Sequence, residues 1–337
     1  MARDKRRIAT ARAKLNSLTR SFLDERGYLE VETPIMVPAP GMEPHIEAFE
    51  TTLDLAPLGG KRRTLYLHTS PEYAMKRLLA DGLDRIYQIC KVFRAEPPSV
   101  EHNPEFSMLE LYRSPGDHDT VMADLEELLM ALCLAFSGSS RLPGGVSVQT
   151  PFPRVSVREA FLDATGVDIA MYPPPDPKPF SAALAESAGI SPVEGDTWDD
   201  VFFRGFLDLV EPGLGSSRAV YLVDYPAHMA ALARVKDDDP RWAERFELFL
   251  GGFELANGFH ELACEKEQRD RLLAEQKERR QMGLMVPPLD EAFLQAVGRL
   301  PDAGGVAVGL DRILMLLMGE DSIEDVLLFP AAGFLCE

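Results

Sequence analysis

The chain has 337 residues, of which 46% are hydrophobic, and its formal net charge is −19. This length suits one large domain or two medium ones. No apolar run is long enough to span a bilayer, and no apolar stretch follows the charged start Met1–Arg7. We therefore expect neither a membrane anchor nor a secretory signal.

The acidic balance argues against a broad nucleic-acid interface, because such a surface repels a phosphate backbone. Only short basic clusters interrupt it, at Lys5–Arg7, Lys61–Arg63 and Arg279–Arg280. Four cysteines, without any C-x-x-C spacing, are Cys90, Cys133, Cys264 and Cys336. They indicate a reduced, cytoplasmic protein without structural zinc.

The first third of the chain alternates helix and strand signals. Residues 5–26 carry apolar side chains at three- and four-residue steps, which predicts a helix that Gly27 ends. A short strand is expected over 28–34, where a proline stops it, and another over 65–68. Ser70-Pro71-Glu72 then opens a helix with proline in a tolerated first-turn position.

Two β-rich segments follow, at 85–96 and 106–112, separated by the turn-forming Pro97–Glu101. This arrangement predicts a long antiparallel hairpin. An amphipathic helix is expected over 120–136, and a Gly/Ser/Pro-rich connection over 138–152.

Residues 153–215 read as a helical insertion with a proline-rich interruption, rather than as a separate domain. The remaining expected elements are strands at 220–224, 246–259 and 305–309 and helices at 266–283 and 311–318. Hairpins without regular βαβ units predict an α+β fold, an antiparallel sheet flanked by helices, in a single domain over 1–337. Neither a P-loop nor a dinucleotide-binding glycine motif is present.

The hairpin carries the first group of candidate functional residues. Alternate residues of a strand share a face, so Arg94 and Glu96 lie together on one arm. One face of the other arm holds Phe106, Met108, Glu110 and Tyr112. Charges on a core-facing surface would be costly without partners, which favours a binding site. A solvent-facing hairpin with cross-strand ion pairs explains the pattern equally well.

A second group lies in the segment 253–262, where Asn257, Phe259 and Glu261 are in phase. Glu254 joins their face only if Asn257-Gly258 forms a bulge. Two carboxylates brought together in this way could hold Mg²⁺ beside nucleotide phosphates. The alternative is an edge strand whose polar residues face water.

The third group is the junction Gly305–Arg312, where an apolar strand turns through glycine into a helix. Glycine lets a ligand approach the backbone closely. The helix N-terminus favours anions, and Arg312 can stack on a base or pair with phosphate. Strand–glycine–helix junctions without a ligand are also common.

Together these segments resemble the three signature motifs of class II aminoacyl-tRNA synthetases. Gly27–Pro34 resembles the first motif, Phe93–Glu96 with His102–Phe106 the second, and Gly305–Arg312 the third. The lysyl branch is indicated by Ser70-Pro71-Glu72, His102–Phe106, Met108–Tyr112 and Glu254–Glu261. The resemblance covers most of the chain.

Because the helix that belongs to the first motif starts near residue 5, we expect no anticodon-binding domain before it. In this respect, and in Ala307, the chain resembles the stand-alone paralogues of lysyl-tRNA synthetase, the elongation factor P–(R)-β-lysine ligases. The resemblance implies activation of (R)-β-lysine or lysine with ATP and Mg²⁺. It also implies transfer to a lysine of elongation factor P, and a homodimer built on the helix 5–26.

Residue roles follow from the resemblance. Arg94 and Arg312 would be catalytic. The ATP contacts would be Arg94, Ala95, Glu96, Asn103, Phe106, Glu254, Leu255, Gly309 and Arg312, with adenine between Phe106 and Arg312. The amino-acid contacts would be Ser70, Pro71, Glu72, Tyr112, Asn257, Phe259 and Glu261. Glu72 would hold the amino group near the carboxylate, Glu261 and Tyr112 the far ammonium, and Glu254 and Glu261 the Mg²⁺.

Some positions depart from the family pattern. Ala95 replaces the usual asparagine, Glu101 stands where a basic or aromatic residue is expected, and the loop carries Pro97-Pro98. These departures bear on contacts to the ATP tail or the acceptor. Two alternatives also stay open: a truncated lysyl-tRNA synthetase that charges tRNA, and a non-catalytic paralogue that senses amino acids.

Overall fold

A computed structural model describes residues 4–335 of the chain. Cys336, one of the four cysteines considered above, lies outside this range. Cys90, Cys133 and Cys264 are free thiols. Among the helices within 4–335, none combines the length and the apolar character needed to cross a membrane.

Helices and strands alternate along the chain, as the sequence predicts. The helices are α1 (Lys5–Glu25), α2 (Glu72–Ala80), α3 (His118–Ser137), α4 (Val157–Thr165), α5 (Pro177–Ala188), α6 (Trp198–Gly205), α7 (Glu265–Met282), α8 (Glu291–Val297), α9 (Leu310–Met318) and α10 (Ala332–Leu335). The strands are β1 (Leu29–Glu30), β2 (Met36–Val37), β3 (Glu50–Leu53), β4 (Arg63–Leu67), β5 (Arg85–Phe93), β6 (Glu105–Arg113), β7 (Arg154–Ser156), β8 (Val220–Pro226), β9 (Trp242–Leu250), β10 (Phe253–His260) and β11 (Gly304–Gly309).

An eight-stranded sheet in the order β1-β5-β6-β11-β10-β9-β8-β7 forms the centre of the fold. The six inner strands are antiparallel, which confirms the predicted α+β fold. The two edge strands β1 and β7 run parallel to their neighbours. Both are reached through long connections, as parallel pairing requires. A second, small sheet has the order β2-β4-β3.

The two faces of the large sheet differ in chemistry. One face packs on α1, α3 and α9 through apolar residues such as Leu109, Leu111, Val306 and Val308. On the opposite face, Glu110 and Tyr112 are almost completely buried. The hairpin of β5 and β6 is therefore not solvent-facing, and its charged face needs partners inside the protein.

The predicted strand 28–34 is shorter than expected. Only Leu29 and Glu30 pair with β5, although the Val31 N–H still donates to the Tyr87 carbonyl at 2.8 Å. The predicted first arm of the hairpin also ends early, at Phe93. Arg94 follows it, with its N–H donating to the Pro104 carbonyl at 2.9 Å, so the backbone stays fixed there.

The predicted single strand 246–259 is wrong, because the segment folds into the hairpin of β9 and β10. Gly251 and Gly252 turn the chain with φ values of +65° and +84°, which glycine adopts without strain. A bulge does occur, but the register shifts between Glu254 and Ala256 rather than at Asn257-Gly258. Gly258 instead makes room for its neighbours, since a Cβ there would lie 2.6 Å from the Gly305 carbonyl oxygen.

Residues 153–215 form one short strand and several helices, as expected of a mainly helical segment. Its apolar side chains, among them Phe161, Phe180 and Phe202, form a cluster that also includes Leu222 of β8 and Phe249 of β9. This shared packing is consistent with an insertion on the central sheet. The division of the chain into one domain with an insertion stays a prediction.

Candidate active site

A cleft of about 280 Å³ opens on the polar face of the large sheet. Most of the residues that line it come from β6, β9, β10, β11, the start of α9 and the loop between β5 and β6. They include Arg94, Glu96, Glu101, His102, Asn103, Phe106, Met108, Arg245, Glu247, Glu254, Leu255, Asn257, Ala307, Gly309 and Arg312. Eight of the nine predicted ATP contacts therefore line one cavity.

Arg94 stands at the end of β5, where its guanidinium carbon lies 5.2 Å from the centre of the Phe106 ring. Its Nε is buried and has no hydrogen-bond partner among residues 4–335. A buried guanidinium donor without a partner is costly in a folded protein unless a ligand satisfies it. The Arg94 side chain is therefore arranged to bind an anionic oxygen in the cleft.

Arg312 lies in the first turn of α9, directly after the glycine that ends β11. Its Nη1 donates to the Glu254 carbonyl at 2.6 Å, and its Nη2 lies 3.1 Å from His102 Nε2. Glu101 Oε2 lies 3.9 Å from the same guanidinium. Burial, and then the charge of Arg312, lower the pKa of His102, so the imidazole stays neutral and can accept a hydrogen bond.

Two predicted nucleotide contacts have other roles in the structure. Ala95 does not line the cleft, and its N–H donates to the Glu47 carbonyl at 2.8 Å. Asn103 lines the cleft, but its amide donates to the Glu105 carbonyl and accepts from the Ala331 N–H at 2.9 Å. Asn103 thus joins the loop to the C-terminal segment. Because its amide already donates one hydrogen bond and accepts another, fewer of its polar positions are free to bind the edge of an adenine base.

The predicted pairing of Glu254 with Glu261 as metal ligands does not fit the fold. Glu254 lies near the start of β10 and Glu261 directly follows its last residue, so the two are roughly 20 Å apart at the usual rise of a strand. Glu247 of β9 lies opposite Asn257 and close enough to Glu254 to feel its charge. Burial, and then Glu254, raise the pKa of Glu247 to about 7. Glu247 and Glu254 are the carboxylate pair that this cleft offers to a divalent cation.

A pocket rich in carboxylates lies on the same sheet face, at the junction of β6 with the loop before α2. Glu110 is the centre of one group: it accepts from Ser70 Oγ at 2.6 Å and from the Tyr112 hydroxyl at 2.7 Å. Burial, and then the charge of Glu72, raise the pKa of Glu110 to about 8. A cation beside Glu110 would relieve this repulsion.

Lys76 connects two further carboxylates of this pocket. Its Nζ lies 2.5 Å from Glu72 Oε1, one helical turn away, and 2.5 Å from Glu261 Oε2. Burial by itself lowers the pKa of Lys76, but attraction to Glu261 and Glu72 outweighs burial and raises it. Lys76 is therefore a permanent internal cation, and Glu261 Oε1 is left without a partner in the described range.

Gly305 explains how these groups come so close. A Cβ at this position would lie 2.3 Å from Glu261 Oε1 and 2.3 Å from a ring carbon of Tyr112. Only glycine leaves this space open. Phe259 borders the same region, with its ring centre 6.0 Å from Lys76 Nζ. Asn257 lies instead in the cleft beside Arg94, where its Oδ1 accepts from Arg245 Nε at 3.3 Å.

The sequence patterns indicate no role for Lys76 or Glu247, and they place Glu110 among the candidate residues of the hairpin without a specific role. Glu110 was in phase with Phe106, and Lys76 follows Glu72 by one helical turn, so both carried a usable signal. Glu247 carried none, because its approach to Glu254 depends on the turn and the bulge that separate β9 from β10.

Comparison with known proteins agrees with this geometry. Residues 1–333 match the family described as tRNA synthetases class II (D, K and N). Among curated proteins, the elongation factor P–(R)-β-lysine ligase of Vibrio cholerae is 39% identical over 95% of this chain and 94% of its own length. The protein of the same name from Haemophilus influenzae is 38% identical over 94% of this chain and 93% of its own length. The chain thus belongs to the class II tRNA synthetase family of the D, K and N type.

Proposed function

We propose that this protein is an ATP-dependent ligase that activates lysine or (R)-β-lysine and transfers it to a lysine side chain of elongation factor P. One observation carries the proposal: an arginine-flanked cleft adjoins a pocket of buried carboxylates on one sheet face. The cleft suits a nucleotide, and the pocket suits an amino acid with two ammonium groups. The names of the similar proteins support the choice of acceptor.

Activation would proceed by in-line attack. A carboxylate oxygen of the amino acid attacks the α-phosphorus of ATP, and the bond to the pyrophosphate oxygen breaks, so that no bond to the enzyme is needed. Arg94 would hold the carboxylate and the α-phosphate together and stabilise the charge that develops between them. Arg312, fixed by the Glu254 carbonyl, would stack on adenine opposite Phe106.

Glu247 and Glu254 fit a magnesium ion, because they supply carboxylate oxygens beside the nucleotide cleft. Bound there, the ion would neutralise phosphate charge as pyrophosphate leaves. Arg245 Nη2 donates to Glu247 Oε1 at 2.6 Å, and the Tyr225 hydroxyl contacts Oε2 of the same group. These contacts hold Glu247 in place before the nucleotide arrives.

In the second step, a deprotonated amine of the acceptor attacks the acyl carbon and AMP leaves. We expect purified protein, ATP, Mg²⁺ and (R)-β-lysine to increase the mass of elongation factor P by one lysyl unit at a single lysine. Intact-protein mass spectrometry followed by peptide mapping would show it. We also expect (R)-β-lysine to react faster than α-lysine.

The same reaction with tRNA in place of elongation factor P is the control. Efficient charging of tRNA, with elongation factor P unmodified under equal conditions, would instead support a truncated lysyl-tRNA synthetase. Binding of lysine without any ATP–pyrophosphate exchange would support a sensor. The expected cytoplasmic location also stays a prediction.

We further propose a homodimer formed through α1 and its surroundings. A groove of about 960 Å³ there is lined by Ile8 and Phe93 and by the C-terminal residues Phe329 and Phe334. Phe329 and Phe334 are 75% and 63% exposed in the single chain. Large apolar side chains clustered in one exposed groove are typical of a subunit interface.

Sedimentation at micromolar concentration should therefore give the mass of a dimer, and Phe329→Asp should shift the protein towards monomer. The control is Leu162→Asp, which changes a leucine on α4 that is 45% exposed and lies away from the groove. A monomer mass for the unmodified protein, or equal effects of both substitutions, would contradict the proposed interface.

A further inference from the structure

The loop between β2 and β3 carries a buried carboxylate, Glu43, that forms no direct ion pair among the described residues, although Arg94 and Lys76 lie near enough to offset part of the rise in its pKa that burial causes. Glu43 Oε2 is inaccessible to solvent and has no hydrogen-bond partner within residues 4–335, although the residue as a whole is partly exposed. Thr69 lies next to it: a Cβ at Gly41 would be 2.4 Å from Glu43 Oε2 and 3.0 Å from Thr69 Oγ1. A buried carboxylate oxygen left unpaired is costly unless a ligand satisfies it.

A small, partly open cavity lies against this carboxylate. Its volume is about 20 Å³, and its polar lining includes Glu43, Thr69, Ser70 and Glu72. A cavity of this size holds one water-sized group. An ammonium group has about the size of a water molecule but carries a positive charge. Two carboxylates at the wall favour the ammonium group over water.

Each of the other pocket carboxylates has a partner for at least one oxygen, although Glu261 Oε1 has none in the described range. Glu72 and Glu261 share the ammonium group of Lys76, and Glu110 accepts two hydroxyl hydrogen bonds. Burial, and then the nearby charge of Glu72, raise the pKa of Glu43. Glu43 thus offers a buried, unpartnered carboxylate oxygen to a cation of the substrate.

The position of Glu43 is set before any substrate binds. The Arg279 guanidinium on α7 is completely buried, and its Nη1 donates to the carbonyls of Glu43 at 2.7 Å and Ile46 at 3.0 Å. The Ala95 N–H donates to the Glu47 carbonyl, which joins the same loop to the segment that carries Arg94. The loop therefore holds Glu43 in fixed relation to the arginine that binds the reacting carboxylate.

We propose that Glu43, together with Glu72, binds the amino group of the substrate that lies nearest to its reacting carboxylate, and that Glu43 thereby determines specificity for diamino acids. The inference rests on the proposed function of this site. The ammonium group at the far end of the substrate would lie with Glu110, Tyr112 and Glu261, on the side of Lys76 opposite Glu43.

The test compares amino acids that differ only in the nearer amino group. ATP–pyrophosphate exchange gives kcat/KM for lysine and (R)-β-lysine, and 6-aminohexanoate, which lacks that group, is measured by its inhibition constant. We expect Glu43→Gln to lower kcat/KM for both diamino acids about 10- to 100-fold, as for a lost charged hydrogen bond. The inhibition constant of 6-aminohexanoate should change less than about threefold, since that molecule never meets Glu43.

Two further variants complete the test. Glu43→Asp keeps the charge but shortens the side chain, so its loss should be smaller than that of Glu43→Gln. Glu50→Gln removes an exposed carboxylate from β3 just beyond the same loop and should leave all three constants unchanged. Thermal unfolding of each variant shows whether the fold is intact.

Equal losses for lysine and 6-aminohexanoate, or no loss for lysine, would overturn the assignment of Glu43. Absence of exchange in the unmodified protein with every amino acid is a different result. It would overturn the proposed function itself, and the role of Glu43 with it.

Discussion

Replacement of Arg94 by alanine is expected to reduce adenylate formation about 100-fold or more while the fold stays intact. The Arg94 guanidinium would contact charge that develops only during attack on the α-phosphorus, and such contacts contribute most to the rate. Arg94 Nε has no hydrogen-bond partner within the described residues. The substitution therefore breaks no hydrogen bond of Nε that would stabilise the fold. ATP–pyrophosphate exchange measures the rate, and thermal unfolding checks the fold.

Two companion variants sharpen this test. Arg94→Lys keeps the charge but loses the planar fork that can hold a carboxylate and a phosphate at once, so we expect intermediate activity. Arg62→Ala removes an exposed arginine, 3.7 Å from Asp54, and should change neither rate nor stability. Near-normal exchange by Arg94→Ala would remove the basis for placing ATP in this cleft.

Replacement of Lys76 by methionine is expected to have the largest effect on stability. Lys76 is the cation that Glu72 and Glu261 share, and both it and Glu261 are almost completely buried. Removing one partner of a buried ion pair leaves an uncompensated charge and costs about 3–5 kcal/mol. Chemical denaturation at neutral pH would measure the difference in the free energy of unfolding.

The control is Lys266→Met, since Lys266 and Asp270 form an ion pair of the same i,i+4 spacing at 88% and 60% side-chain exposure. Exposed pairs of this kind contribute little to stability, because solvent screens the two charges. Similar losses in both variants would contradict the role of burial.

The pH dependence separates charge from packing. The pKa of Glu261 is already raised to about 7 in the protein, by burial before all other causes. Loss of Lys76 raises it further above its unfolded value. A carboxyl with a raised folded pKa destabilises the protein above that pKa, and the penalty disappears below the unfolded value of about 4.3. The deficit of Lys76→Met should therefore shrink as the pH falls from about 8 to 5, whereas a packing defect would not change.

The sequence by itself determined the class of fold and most of its elements. The helix over 5–26, the hairpin of 85–96 with 106–112 and the junction at Gly305–Arg312 are local patterns. In each, the period of the apolar residues and the position of glycine or proline define the structure. The residues of the cleft were predicted through the resemblance of these segments to the class II signature motifs, whereas strand periodicity by itself placed only in-phase residues on one face.

Only the tertiary structure decided which charges meet. The bulge at Leu255 and the glycine turn before it place Glu254 near Glu247 instead of Glu261, and neither feature has a periodic signal. Lys76 reaches Glu261 across 185 residues of chain, in space that Gly305 leaves open. The charge state of a buried carboxylate depends on which charges lie near it and on how far it is from water. Both conditions arise only when the sheet, α2 and the loop at Glu43 pack together.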